Sequence, residues 1–528
     1  MDAQGRLTLT GRIEKMINRG GRKVIPQAEP LAGDWPAGTQ VFPASHAQAR
    51  LWFLQQLEPG LTAYHLPALW RLSGELDLRA LDQALTELLA RHSPLRTSFQ
   101  LEGSEVLQII HPPAPFSLQP EALADRSPEL VIEEWLAAER ATPFDLSSGL
   151  LLRARLLAVD GHRHLLLINH HHIASDGWSR TVLARDLVEF YNAHRSGRPP
   201  RLQELRVRYQ DYALWQRQRL GGADLQRLQH YWRSQLAGIE PLELPGDHPR
   251  PAMPSHRGGS VPVRIGPPLL GALEELCRSE GATLQMGLLA LVAVLLHRYS
   301  RQADVAIGVP SWGRIHPALE PLIGLFINTL PIRTRLEAEQ SFRELLRQVR
   351  ATALAAYEHQ ELPFEQMVAA LTVERDTSRN PLVQVMLQLF EQPQEPPPSL
   401  VGVALETLDA PNDACRFDLE FFLRHGPDGG LEGQLVYALD LFAADRMERL
   451  SFHFLTLLSL VLQTPDAPVQ GLSLLPESER QLIESWQQGP SVERPDCTSP
   501  VVCVHEMFEQ QVARTPDALA LIFGDERL

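Results

Sequence analysis

Cysteine is scarce, with 4 in 528 residues. Cys277, Cys415, Cys497 and Cys503 fall at no spacing that suggests pairing. This excludes a disulfide-stapled scaffold and fits a reducing, cytoplasmic compartment. Cys/His clusters with metal-ligand spacing are missing as well, so no metal is expected. Long apolar runs are absent: the longest, Met286–Leu296, falls short of the roughly 20 residues a spanning helix needs. It reads as a buried helix, and no membrane role is expected. The N-terminus is polar and charged, without a signal-peptide pattern. Positive charge is in deficit, and the formal net charge of −15 argues against a general nucleic-acid binder. No internal repeat is evident. The length leaves room for two or more compact lobes.

What is present centres on Asn169–Ser179, NHHHIASDGWS. Leu150–Val159 alternates apolar residues with Arg153 and Arg155, and Arg163–Asn169 returns with LLLI at its centre. Asp160-Gly161 between them is the pair that two-residue hairpin turns prefer. From Ser175 or Asp176, either able to cap, Val182, Leu183, Leu187 and Phe190 recur at helix spacing. The histidines therefore stand where a strand ends and a helix begins, a rigid support on which chemistry is often placed. Histidine exchanges protons near neutrality, a nearby carboxylate orients a ring or pairs with a cation, and Gly177 permits a tight turn. His170 and His172 share a strand face that Asp176 could join as a metal site, but no further ligands stand at suitable spacing.

His171-His172-Ile173-Ala174-Ser175-Asp176-Gly177 resembles the HHxxxDG motif of nonribosomal peptide synthetase condensation domains. Related versions occur in chloramphenicol acetyltransferases, carnitine acyltransferases and epimerisation domains, so the rest of the chain decides. Ser45–Pro67, SHAQARLWFLQQLEPGLTAYHLP, is similar to the family's first motif, and Gln48, Arg50, Trp52 and Leu54 lie in an expected amphipathic helix. Leu76–His92 has a strong helical pattern that Pro94 breaks, and RHSPLRTSF resembles the second motif. YQDYALWQRQRL from Tyr209, IGLFINTLPIRT from Ile323, HQELPFEQMVAAL from His359 and RDTSRNPLVQVM from Arg375 resemble the later motifs in order. The proline-rich Leu236–Gly259 reads as a joint between lobes. His256–Ser260 is not a phosphopantetheine site, because the flanking leucine and aspartate are missing and Ser260 opens a strand-like run.

The ends resemble a second family. LTLTGRIEKMINRGGRKVIP from Leu7 is similar to the C-terminal subdomain of adenylate-forming enzymes, and His505–Leu528 to the opening of an adenylation domain. Five segments are expected: a truncated remnant plus linker (1–38), an N-lobe (39–235), a C-lobe (236–475), a linker (476–503) and a truncated adenylation start (504–528).

The alternation of strands and helices in two halves fits an α/β protein. The resemblance implies two chloramphenicol-acetyltransferase-like lobes in a V-shaped pseudo-dimer, with the His motif in a tunnel between them. It implies an acyltransferase-type amide synthase, in which an acceptor aminoacyl thioester attacks a donor acyl or peptidyl thioester. Both substrates would ride on the 4'-phosphopantetheine of partner carrier domains, donor upstream and acceptor downstream, with an adenylation domain as a further partner. The domain itself would bind no cofactor, and the motif wording leans toward an L-residue donor. His172 is the implied catalytic residue, as general base or as a group that positions the amine. His171 is structural, Asp176 turns away to pair with Arg314, and Gly177 lets backbone approach the thioester. A non-catalytic carrier-docking remnant and an epimerisation or other acyltransferase domain of the same fold are the alternatives.

Overall fold

The structure is a computed structural model. It describes residues 27–371 apart from 34, 376–390, 399–408, 414–487 and 503–519, with the backbone of four short strands near the ends. Apart from the backbone of the paired strands Ile17–Arg19 and Arg22–Val24, the run resembling an adenylate-forming enzyme lies outside the described residues, as do most of residues 520–528.

In the first lobe, strand His65–Gly74 (β1) pairs antiparallel with Arg163–His171 (β3), which pairs antiparallel with Leu152–Ala158 (β2). β3 lies between two neighbours, and every residue from His164 to His171 is buried. Hence its apolar run is continuous rather than alternating. Burying each of its leucines is worth roughly 1.5–3 kcal/mol over leaving it exposed. The hairpin does not close as a two-residue turn. Val159 N–H bonds the Arg163 carbonyl, so Asp160–His162 form the connection. Asp160 Oδ1 accepts from the His162 and Arg163 amides at 2.9 and 2.8 Å, an Asx-type turn that an Asp permits without a left-handed residue.

The second lobe holds a six-stranded mixed sheet of Gly258–Ile265 (β4), Asp304–Ser311 (β5), Asn328–Arg335 (β6), Val385–Phe390 (β7), Leu419–His425 (β9) and Leu431–Ala438 (β10). Their order across the sheet is β4-β10-β9-β7-β5-β6. The strand between β7 and β9 in sequence, Val403–Leu408 (β8), leaves this sheet and adds an edge to β1 of the first lobe, Val403 opposite Gly74 and Leu408 opposite Leu69.

Helices follow their apolar periods. Leu78–Arg91 (α1) buries Leu81, Leu85, Leu88 and Leu89; Asp77 caps it by accepting from Ala80 N–H at 3.0 Å. Gly177–Arg195 (α2) packs beside it through Val182, Leu183, Leu187 and Phe190. Leu284–Ser300 (α3) is buried continuously from Met286 to Leu296, in the core of the second lobe. Among the described residues no single helix is long and apolar enough to cross a membrane. The first helix, His46–Leu57, departs from the amphipathic expectation. It buries Gln48, Leu51 and Gln55, while Phe53 and Leu57 are 58% and 61% exposed. Its Ser45–Gln48 capping box and a Gln48 bond to the Ile173 carbonyl account for the buried glutamine.

The lobes interlock. Leu319, Leu322, Ile323, Leu325 and Phe326 from the second half pack into the first core. Leu228, Trp232 and Leu236, from the helix Gly222–Leu236, pack into the second. A separate unit, Leu475–Leu528, contains the helices Glu477–Gln487 and Val504–Arg514, neither with a buried residue.

Candidate active site

β3 ends at His171, His172–Ala174 make one 3-10 turn, and Asp176 rather than Ser175 caps α2. The sharp change of direction brings His172 to the wall of a cavity of about 790 Å³. The first lobe contributes Tyr64, His172 and Gly177 to that wall, and the second Asn328, Met386 and Arg416. A Cβ on Gly177 would stand 3.1 Å from Trp312 Cζ3, so a glycine keeps this corner open.

The three histidines have different surroundings. The His171 ring is fully buried, and its Nδ1 accepts from Ile173 N–H at 3.0 Å. Phe144 and His65 meet it edge-on, with centroids 5.9 and 6.1 Å away. Burial first, then the neighbouring His65, holds its pKa well below the ordinary value. A network beneath it continues through Asn169, whose Nδ2 donates to Glu139 Oε2 at 2.7 Å; Arg153 pairs with the same oxygen at 2.7 Å. His170 has both ring nitrogens enclosed and unpartnered, and burial with the nearby Arg180 lowers its pKa to about 3. Arg180 also lines the cavity, and burial lowers its own pKa.

His172 is 8% exposed, and its backbone N–H bonds the Tyr64 carbonyl at 2.8 Å. Its Nδ1 is enclosed without a partner, which leaves Nε2 as the nitrogen open to the cavity. Burial, then Arg416, lowers its pKa to about 4, with Asp176 opposing. The imidazole is therefore neutral at neutral pH, able to accept a hydrogen bond or a proton but with little basicity.

Asp176 is fully buried, and all of its acceptor capacity is directed away from His172. Oδ1 accepts from Ser179 N–H and Oγ–H at 2.9 and 2.8 Å. Oδ2 accepts from Arg314 Nη1 at 2.7 Å and Phe326 N–H at 3.0 Å. Arg314 continues to Ser179 Oγ and the Leu322 carbonyl, and its guanidinium lies 4.3 Å from the Phe326 ring centroid. Gly313, at φ +64°, turns the chain so that Arg314 reaches back; a Cβ there would collide with the Phe326 carbonyl. His172, Gly177 and the cavity are thus brought together, while Asp176 and Arg314 form a clamp behind them.

Sequence reasoning missed Arg416, Glu420, Arg180 and the Glu139–Asn169 network. Arg416 and Glu420 carried a weak signal: charges four apart at the start of the apolar run LEFFL, which strand alternation places on one face. Among the described residues no group of three His, Cys, Asp or Glu side chains is arranged to hold a metal ion.

Comparison with known proteins places this geometry in a family. Residues 39–484 match the family model described as the condensation domain. The chain is 38% identical over 98% of its length to a linear gramicidin synthase polypeptide of Brevibacillus parabrevis, and 39% identical over 93% to a plipastatin synthase polypeptide of Bacillus subtilis (strain 168). It spans 10% and 13% of those relatives. Among solved structures, the X-domain from teicoplanin biosynthesis matches with a TM-score of 0.77 at 32% identity, over 84% of this chain and 99% of that one. The first condensation domain of the calcium-dependent antibiotic synthetase, in complex with a substrate analogue, matches in fold with a TM-score of 0.69 at 22% identity, over 83% and 99%. The chain belongs to the condensation-domain family.

Proposed function

We propose that this domain forms an amide between a donor acyl or peptidyl thioester and the α-amine of an acceptor aminoacyl thioester, in nonribosomal peptide synthesis. Both substrates are delivered on the phosphopantetheine arms of partner carrier domains, and an adenylation domain loads them elsewhere. The placement of His172 Nε2 at the cavity between the lobes carries this reading.

The thioester is already activated, so the protein must align, desolvate and move one proton. The acceptor's neutral amine nitrogen attacks the thioester carbon, and the carbonyl π pair moves onto oxygen. His172 Nε2 accepts a hydrogen bond from the amine and aims its lone pair. Once the C–N bond has formed, the nitrogen is cationic and strongly acidic, so even a base with a pKa of about 4 can receive its proton. Collapse of the oxyanion expels the thiolate sulfur, which takes up the proton and leaves as the thiol. This order favours positioning and late proton transfer over early general-base deprotonation, because among the described residues no carboxylate bonds Nδ1 of the ring as in a catalytic triad. Asp176 and Arg314 keep α2 and the His172 turn fixed, and Gly177 leaves room for the thioester.

A second reading is a docking module without turnover. The likeness to the X-domain, a protein solved in complex with OxyB, favours it. Incubating the chain with donor- and acceptor-loaded carriers and reading the acceptor by intact mass separates the two. Amide product supports the first reading; saturable carrier binding with no product supports the second.

A further inference from the structure

Arg416 enters the same cavity from the second lobe, and no motif marks it. Its surroundings are built with care. Cys415 N–H bonds the His256 carbonyl at 3.0 Å, Asn380 donates to the Arg416 carbonyl, and Asp418 N–H bonds the Gln384 carbonyl at 2.9 Å. Arg250 grips Asp418 with both Nη atoms, at 3.0 and 2.5 Å. Within this frame Glu420, 2% exposed, orients Arg416 twice: Oε1 accepts the Arg416 backbone N–H at 2.6 Å, and Oε2 accepts from Nη2 at 2.9 Å. The Arg416 side chain is 24% exposed. Its Nε and Nη1 have no acceptor among the described residues, and neither is enclosed by protein. They are donors held rigidly toward a cavity and left without a protein partner.

We propose that Arg416 is a catalytic residue: its free N–H groups receive the negative charge that develops on the thioester oxygen while His172, across the lobe boundary, holds the amine. This rests on the amide-forming reading above. The step needs such a group, because attack of a neutral amine creates an oxyanion and neutral His172 supplies no cation to meet it. A guanidinium already fixed in place by Glu420 stabilises that charge without reorganising. Glu420 satisfies one edge of the fork, so the ground state is stable without substrate, and the other edge stays available. The groups around His172 are Tyr64 just before β1, His170 and His171 on β3, Asp176 and Arg180 at the start of α2, and Arg416 from the second lobe. Arg180 bears on His170; Arg416 bears on His172 itself. The same cation thus serves twice, by meeting the oxyanion and by adding to the burial that keeps the imidazole neutral.

The test uses the full chain with donor and acceptor thioesters on phosphopantetheinylated carriers. Replacing both partners, Arg416→Gln with Glu420→Gln, keeps the shape and leaves no lone charge buried. This variant is expected to melt near the parent temperature while kcat falls about 10²-fold, the scale of losing one oxyanion donor. The histidine limb of its pH profile moves upward from near pH 4 but stays below the ordinary value, because burial, the larger cause of the low pKa, remains while the neighbouring cation is gone. Arg416→Lys, which keeps the charge without the fork, retains the low limb and recovers part of kcat. A folded double variant with parental kcat and an unmoved limb overturns the proposal, as does an Arg416→Lys variant no better than it. Should the double variant fail to fold, Arg416→Lys decides alone: a parental kcat refutes a role for the fork. If the unaltered chain makes no amide from any loaded carrier, the broader reading fails, and the role of Arg416 with it.

Discussion

Truncating Asp176 to alanine tests how the motif divides between structure and chemistry. The carboxylate is fully buried and accepts four hydrogen bonds, from Arg314 Nη1, Phe326 N–H, Ser179 N–H and Ser179 Oγ–H. Its loss strands Arg314, whose side chain is 3% exposed, as an uncompensated charge. That alone costs roughly 3–5 kcal/mol. Loss of the N-cap on α2 adds about 1 kcal/mol. At roughly 2 °C per kcal/mol for a large chain, the midpoint should fall by close to 10 °C. Arg314→Ala should cost a similar amount, since it leaves Asp176 buried and unpaired. The double variant should lose less than the sum of the singles, with a coupling of roughly 0.5–3 kcal/mol. Thermal melts of all three proteins, read beside turnover at a temperature where each is folded, make the comparison. The reasoning is refuted if Asp176→Ala melts like the parent yet loses turnover, or if the two losses simply add.

Stability should fall as the pH is lowered from 6.5 toward 4. His65 and His172 are depressed to about 4 and His170 to about 3, each by burial first, so the unfolded chain binds protons at 6.5 that the folded chain refuses. Melts across that window should show a falling midpoint, and a flat profile would contradict the burial of these rings. In kcat, protonation of the acceptor amine, near pH 8, gives the first acid limb. His172 adds a second only near pH 4, so a steepening already at pH 6–7 would contradict its depressed pKa. Gly177→Ala should fold normally but lower kcat/KM by roughly 10-fold or more, since its Cβ enters the cavity beside Trp312 and displaces the reacting groups. Turnover equal to the parent's would mean the thioester does not pass there. Chelators should leave turnover unchanged, and loss that zinc restores would overturn the metal-free reading.

Legibility in the sequence followed the range of the interactions. α1, α2 and α3 were readable because their apolar periods and caps are local: Asp77, Asp176 and Thr283 each stand within three residues of the amide they bind. The continuous LLLI run of β3 likewise announced a strand covered on both faces. The first helix misled because its buried Gln48 is explained by Ile173, which is 125 residues distant. β8 was unreadable as part of the first sheet, since nothing in VALETL names Gly74–Leu69 as its partner. Arg314 emerged only through the resemblance to condensation domains, because its contact with Asp176 spans 138 residues. Arg416 escaped because its meaning lies in a cavity to which both lobes contribute, and no spacing along the chain encodes that.

The most direct test of the central claim is amide formation by His172→Ala, with donor and acceptor carriers loaded in trans and the acceptor read by intact mass. Replacing a cavity-lining ring that makes no side-chain hydrogen bond at Nδ1 should leave the melt near the parent's. The account predicts that amide formation slows by about 10²–10⁴-fold while carrier binding persists. Parental turnover in a folded His172→Ala protein would contradict it.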